Sequence, residues 1–74
     1  MVIKISKVFL KDEDSKTLVQ IELAEPKKIV EILKEIKFEG MGYADFYLNN
    51  KKVNKNTIAN NEDKLLILPI VGGG

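Results

Sequence analysis

The sequence predicts an α+β domain: a mixed sheet of four to five strands, one main helix packed on one face, and a flexible glycine tail at the C-terminus. Three observations carry this expectation. Residues 2–10 and 17–23 are β-branched, roughly alternating segments joined by a short charged stretch, which reads as a hairpin. Residues 26–36 place apolar side chains at spacings of three and four, the period of an amphipathic helix. Alternation then returns, and an apolar run, Leu65-Leu66-Ile67-Leu68, leads into Gly72-Gly73-Gly74. A hairpin, one helix and a return to the sheet bury their apolar faces by layering helix on sheet.

Taken in order, the first strand slips out of alternation between Lys7 and Val8, which allows a bulge or an early strand end. Residues 11–16 are a charged turn in which Asp12, Asp14 and Ser15 can close local side-chain turns. In the second strand Val19, Ile21 and Leu23 share one face, and Gln20 and Glu22 the other. Pro26 suits a first helical position, where its missing N–H costs nothing. Ile29, Val30, Ile32, Leu33 and Ile36 form the apolar face of the helix, Lys27–Glu31 is an i,i+4 pair on the wet side, and Gly40 is the expected stop. Ala44, Phe46 and Leu48 alternate against Asp45 and Tyr47, and Asn49-Asn50 makes a tight turn into a short return strand, Lys51-Lys52-Val53. Residues 57–59 allow a brief helical turn. The last strand, Leu65 to Leu68, is expected to halt at Pro69. Placing it beside the first strand, as in β-grasp folds, gives every hydrophobic segment a position. The domain then covers residues 1–71, with 72–74 as the tail.

Composition narrows the function. The chain has 74 residues, 12 Lys, no Arg, 11 acids and neither His nor Cys. Disulfide and zinc staples are therefore unavailable, and stability must come from packing. Catalysis by a Cys nucleophile or a His base is excluded, and the chain reads as something other than an enzyme. A net charge of +1 without Arg argues against nucleic-acid recognition. No apolar run reaches the ~18 residues that span a bilayer, and the N-terminus lacks the apolar segment of a secretory signal, so no membrane partner and a cytoplasmic location are expected.

Two features could carry function. Three terminal glycines cannot stabilise a fold, because each loses more backbone entropy on ordering than any other residue. One reading is a disordered end or an expression scar; the other is a tail that threads a narrow channel in a partner enzyme, which would reject side chains. The handle would be the α-carboxylate of Gly74, ionised at neutral pH with a reference pKa of about 3.3–3.7. Attack on the α-phosphate of ATP would make an acyl adenylate. A sulfur nucleophile would convert that to a thiocarboxylate, and a lysine amine, reached through a thioester, to an isopeptide. Metal, base and phosphate-binding groups would all belong to the partner. The second feature is the last strand, apolar without alternation although one helix covers only one face. With Leu66 and Leu68 turned to the helix, Leu65, Ile67, Pro69 and Val71 form the expected partner-binding surface; a one-residue slip reverses the assignment.

Other groups are weaker. Gly40-Met41-Gly42 lacks the spacing of a phosphate loop and reads as a helix-ending turn. Lys51, Lys52 and Lys55 fit a solvated hairpin, and Asp12-Glu13-Asp14 lacks calcium-loop spacing. Tyr43, Phe46 and Tyr47 could stack single-stranded bases, but core packing explains them more simply.

At residues 65–74, LLILPIVGGG, the chain resembles the small ubiquitin-like sulfur carriers of the ThiS and MoaD families. Leu48-Asn49-Asn50-Lys51-Lys52-Val53 is similar to the asparagine-containing hairpin that precedes the last strand in ThiS proteins. Where many members have Gly-Asp before that strand, this chain has Asn61-Glu62-Asp63. The resemblance implies a ubiquitin-like β-grasp fold and a Gly74 that is adenylated by a ThiF- or MoeB-like enzyme and then carried as a thiocarboxylate. Gly73 and Gly72 would form the arm, and Pro69 corresponds to the proline before the tail in MoaD proteins. The family's chemistry uses ATP on the activating enzyme and no cofactor on the carrier. A downstream synthase accepts the sulfur for thiamine thiazole, molybdopterin or tRNA thiolation. Archaeal relatives also act as protein modifiers, which leaves isopeptide formation as an alternative and a non-covalent binding module as another.

Overall fold

The computed structural model describes residues 1–9 and 17–70. A five-stranded mixed sheet is built from β1 (Val2–Ile5), β2 (Leu18–Gln20), β4 (Ala44–Leu48), β5 (Lys51–Val53) and β7 (Lys64–Pro69), ordered β2-β1-β7-β4-β5. β1 and β7, near opposite ends of the chain, are parallel neighbours at the centre of the sheet, and the other pairs are antiparallel. A two-stranded ladder, β3 (Lys27–Lys28) with β6 (Ile58–Ala59), flanks α1 (Ile29–Glu35), the one α-helix among the described residues. A five-stranded mixed sheet, a helix and a central parallel pair joining first and last strands are the β-grasp arrangement expected.

The register explains the core. Val19, Ile3, Leu65 and Leu48 lie side by side across four strands, and Ile5, Ile67, Phe46 and Val53 form the next row. Both rows face α1, whose Ile29, Ile32 and Leu33 are fully buried between them and Ala59. Fully burying a side chain of this size contributes about 1.5–3 kcal/mol, so these few residues supply most of what holds an unstapled chain together.

Several elements differ from expectation, each for a local reason. β1 stops at Ile5, because Ser6 donates its N–H to Ile67 O at 3.0 Å and Phe9 N–H then closes a 3-10 turn onto Ser6 O at 3.1 Å. The slip in alternation is thus an early strand end. The remainder of that segment, the 11–16 turn and Val71 to Gly74 lie outside the described residues. Pro26 does not open the helix: Lys27 and Lys28 are extended and pair with β6, so α1 begins three residues later. No side chain caps it. Ile29 and Val30 instead donate their N–H groups to Thr57 O and Lys55 O, both at 2.9 Å. Within residues 57–59, where a brief helical turn was possible, Ile58–Ala59 is the strand this arrangement requires. The Lys27–Glu31 pair gives way to Lys27–Glu35 at 2.6 Å.

The helix also ends before Gly40. Lys37 takes a left-handed φ of 59°, Phe38 N–H bonds Leu33 O at 2.9 Å and Lys37 N–H bonds Lys34 O at 3.2 Å. This is a Schellman closure with lysine where glycine is usual. Gly40 is needed for space instead. A Cβ there would meet Phe38 Cζ at 2.8 Å and run into Phe9, whose ring stands edge-on to Phe38 at 5.2 Å. The 40–42 segment is consequently no helix-ending turn; Met41–Tyr43 forms a separate 3-10 turn into β4.

Candidate functional site

β7 carries the chain toward the glycines, and its surroundings define the candidate site. Leu65 and Ile67 are 1% and 0% exposed, facing α1. They cannot be the partner-binding surface expected of them, because they are the core. The register places Leu66 and Leu68 on the outer face, reversing the assumed assignment. Pro69 does not halt the strand. It pairs with Ala44 two residues beyond the last β1 partner, Ile5 opposite Ile67, where the β1 side of the ladder has already ended. Ile70 follows, donating its N–H to Tyr43 O at 3.0 Å.

The outer face repeats the cross-strand logic of the core with different residues. Leu18, Lys4, Leu66, Tyr47 and Lys52 form one row across all five strands. Val2, Lys4, Leu18, Tyr47, Lys64 and Leu66 line a shallow groove of about 310 Å³ on it. Lysines therefore share this face with apolar side chains, and Asp45 stands 3.8 Å from Lys52 in a loose surface pair. Among the described residues, the one helix packs on the opposite face.

At the other end of β7 a polar junction fixes where the strand begins. Asn49 and Asn50 both take left-handed φ, 52° and 70°, as a two-residue hairpin turn requires. Asn49 Oδ1 accepts from Lys64 N–H at 3.0 Å, and its Nδ2 donates to Asp63 Oδ1 at 2.9 Å. Asp63 Oδ2 accepts from Asn60 N–H at 2.8 Å, while Asp63 N–H returns to Asn60 O at 3.0 Å. The Asn60 backbone bond, then the Asn49 side chain, hold the Asp63 carboxyl below its ordinary range. The turn thus closes with Glu62, not glycine, before Asp63. Asn61 Oδ1 ties the neighbouring loop by accepting from Leu23 N–H at 2.9 Å and the Met1 amine at 3.2 Å.

The three aromatic residues do not form a stacking platform: Phe46 is core, Tyr47 is half-buried on the outer face, and Tyr43 projects from its 3-10 turn. Lys51, Lys52 and Lys55 are exposed, and Asp12 to Asp14 lie outside the described residues. Among the described residues no helix is long and apolar enough to cross a membrane.

A mixed five-strand sheet grasping one helix, with its last strand leading to a glycine end, defines a ubiquitin-like β-grasp domain. The ThiS family model matches residues 9–74, and the chain belongs to the ThiS family, whose members are small sulfur carriers rather than catalysts. Two solved structures are similar along the full chain. The crystal structure of the thiamine biosynthesis protein ThiS from Geobacter metallireducens shares 19% identity at a TM-score of 0.63, covering 100% of both chains. An NMR solution structure of a thiamine biosynthesis protein from Geobacter metallireducens shares 20% identity at a TM-score of 0.54, covering 100% of this chain and 88% of that one. At these identities both bear on fold alone. No curated protein matches the chain.

Proposed function

We propose that the chain is a sulfur carrier whose Gly74 carboxylate is adenylated by a ThiF-type enzyme and converted to a thiocarboxylate. The observation that carries this reading is membership of the ThiS family together with a central strand running straight toward the terminal glycines. In the first step a Gly74 carboxylate oxygen attacks the α-phosphorus of ATP, an acyl–phosphate bond forms and pyrophosphate leaves. In the second a sulfur nucleophile displaces AMP. The chain contributes a carboxylate, a side-chain-free approach through Gly72 and Gly73, and a rigid body; every group that stabilises the developing charge is the enzyme's. Pro69 and Val71, next to the tail, are assigned to partner binding. The outer face, through Leu66 and Leu68 in place of the buried Leu65 and Ile67, is the docking surface we assign to the activating enzyme or the sulfur-accepting synthase.

Intact mass spectrometry after incubation with ATP, the cognate activating enzyme and a sulfur source tests the proposal. A mass gain equal to one oxygen-to-sulfur replacement, localised to Gly74, is expected. An unchanged mass with an enzyme competent on its own carrier overturns it. Glycine remnants on target lysines would instead mark a protein modifier.

A further inference from the structure

β2 stands at one edge of the sheet and β5 at the other. The ladder to β1 fixes which backbone groups of β2 point outward. Ile5 N–H bonds Thr17 O at 2.7 Å and Ile21 N–H bonds Met1 O at 2.9 Å, at either end of a register that sets Val19 opposite Ile3. Bonded pairs recur at every second residue of an antiparallel ladder, so Thr17, Val19 and Ile21 turn their backbone groups toward β1. Those of Leu18 and Gln20 turn away from it, and among the described residues no strand lies beyond. The two edges differ in what they offer an incoming strand. β5 carries Lys51 and Lys52, both exposed, and edge lysines discourage further pairing. Residues 17–21, Thr-Leu-Val-Gln-Ile, hold neither charge nor proline, and Leu18 is 56% exposed.

We propose that β2 pairs with β2 of a second copy of this chain, antiparallel about a two-fold axis between the two Val19 residues. This register is self-complementary. It sets Leu18 opposite Gln20 of the copy and Gln20 opposite its Leu18, so every outward N–H of the two residues meets an outward C=O. Val19 lies opposite its own equivalent at the close, non-bonded position, and Thr17 lies opposite Ile21. All three are half-buried, and the copy covers what the domain leaves exposed. No charge is placed against an apolar side chain, whereas a register shifted by two residues would set Glu22 against Leu18. The occupant is a second copy, because residues 17–21 match themselves at every position. The axis stands perpendicular to the sheet, so the joined sheets keep both helices on one side and both outer faces on the other. β1 separates β7 from the joint, which makes the pairing independent of the carrier chemistry.

Sedimentation equilibrium and amide hydrogen exchange followed by NMR, both on the full chain, test the proposal. Five residues a side make a small interface, so a reversible dimer with a Kd on the order of 100 µM is expected. Between about 0.05 and 1 mM protein, exchange at the Leu18 and Gln20 amides should slow roughly threefold, while the Val19 amide, already turned to β1, should not respond. Leu18→Glu and Gln20→Lys, both at exposed positions, should each weaken the dimer roughly threefold to tenfold. Their equimolar mixture should associate more tightly than either alone, because the register brings the new acid opposite the new lysine. A wild-type chain that stays monomeric at about 1 mM overturns the proposal and leaves the edge to a strand from another protein. A dimer that slows exchange at Leu66 and Tyr47, with Leu18 and Gln20 unchanged, also overturns it by moving the contact to the outer face. A mixture no tighter than either variant overturns the register on which the pairing stands.

Discussion

Asp63 shows how much one side chain can organise. Its carboxylate closes the 60–63 turn through Asn60 N–H and positions Asn49, which in turn holds Lys64 N–H at the start of β7. These bonds favour the ionised form and lower its pKa from the usual 3.8. A carboxyl depressed in the folded state contributes stability above its unfolded pKa, and that contribution is lost as pH falls from about 3.8 through the lower folded value. Thermal melts from pH 6 downward should therefore show a loss of Tm that begins near pH 4, and Asp63→Asn should flatten that part of the profile. An identical slope in the variant would refute the assignment. Sequence reading singled out Asn49 as a turn residue and Asp63 as the survivor of a Gly-Asp pair, but not their bond to each other. They are 14 residues apart, and only the hairpin and the β4–β7 register bring them together.

At the scale of elements, strands with clear alternation were legible and boundaries set by tertiary partners were not. β4 runs from Ala44 to Leu48 as its pattern predicts, because alternation is a local consequence of a sheet with one buried face. The start of α1 differs from expectation because Pro26 satisfies a helix-start rule locally, while β6 supplies a strand partner that rule cannot see. The role of Gly40 was misread for a related reason: glycine after a helix suggests a left-handed stop, but Lys37 already makes that turn. The pair Gly40 and Gly42 separates the two explanations. Gly40→Ala pushes a methyl into Phe9 and Phe38 and should cost about 1–3 kcal/mol. A Cβ at Gly42 meets nothing within 4 Å, so Gly42→Ala should be neutral or stabilise by about 0.4–1 kcal/mol. Urea denaturation at pH 7 distinguishes them, and equal effects would mean that conformational freedom, not space, selects glycine at both.

For the whole molecule, the parallel β1–β7 pair makes one strand serve two purposes. Leu65 and Ile67 anchor the core from the same backbone whose alternate residues, Leu66 and Leu68, face outward. The sequence displayed this as an apolar run without alternation, the sign that both faces of β7 are used. It left the faces themselves open, because a run apolar at every position looks the same in either register. Neighbours decide: Phe46 and Ile5 oppose Ile67 and turn it inward, whereas Lys4 and Tyr47 oppose Leu66 and turn it outward. The two functions should then come apart by substitution. Ile67→Ala empties a packed site and should lower stability by about 2–5 kcal/mol, a large share of what a domain this size possesses. Leu66→Ser should cost far less stability yet weaken the complex with the activating enzyme, measured by calorimetric titration, roughly tenfold. Docking on this face would bring the adjacent lysines Lys4 and Lys64 against the partner, so wild-type affinity should also fall as salt is raised. A Leu66→Ser protein that is folded and binds like the wild type would remove the outer face from the interface. Sulfur transfer would then depend on contacts at the tail end of the sheet alone.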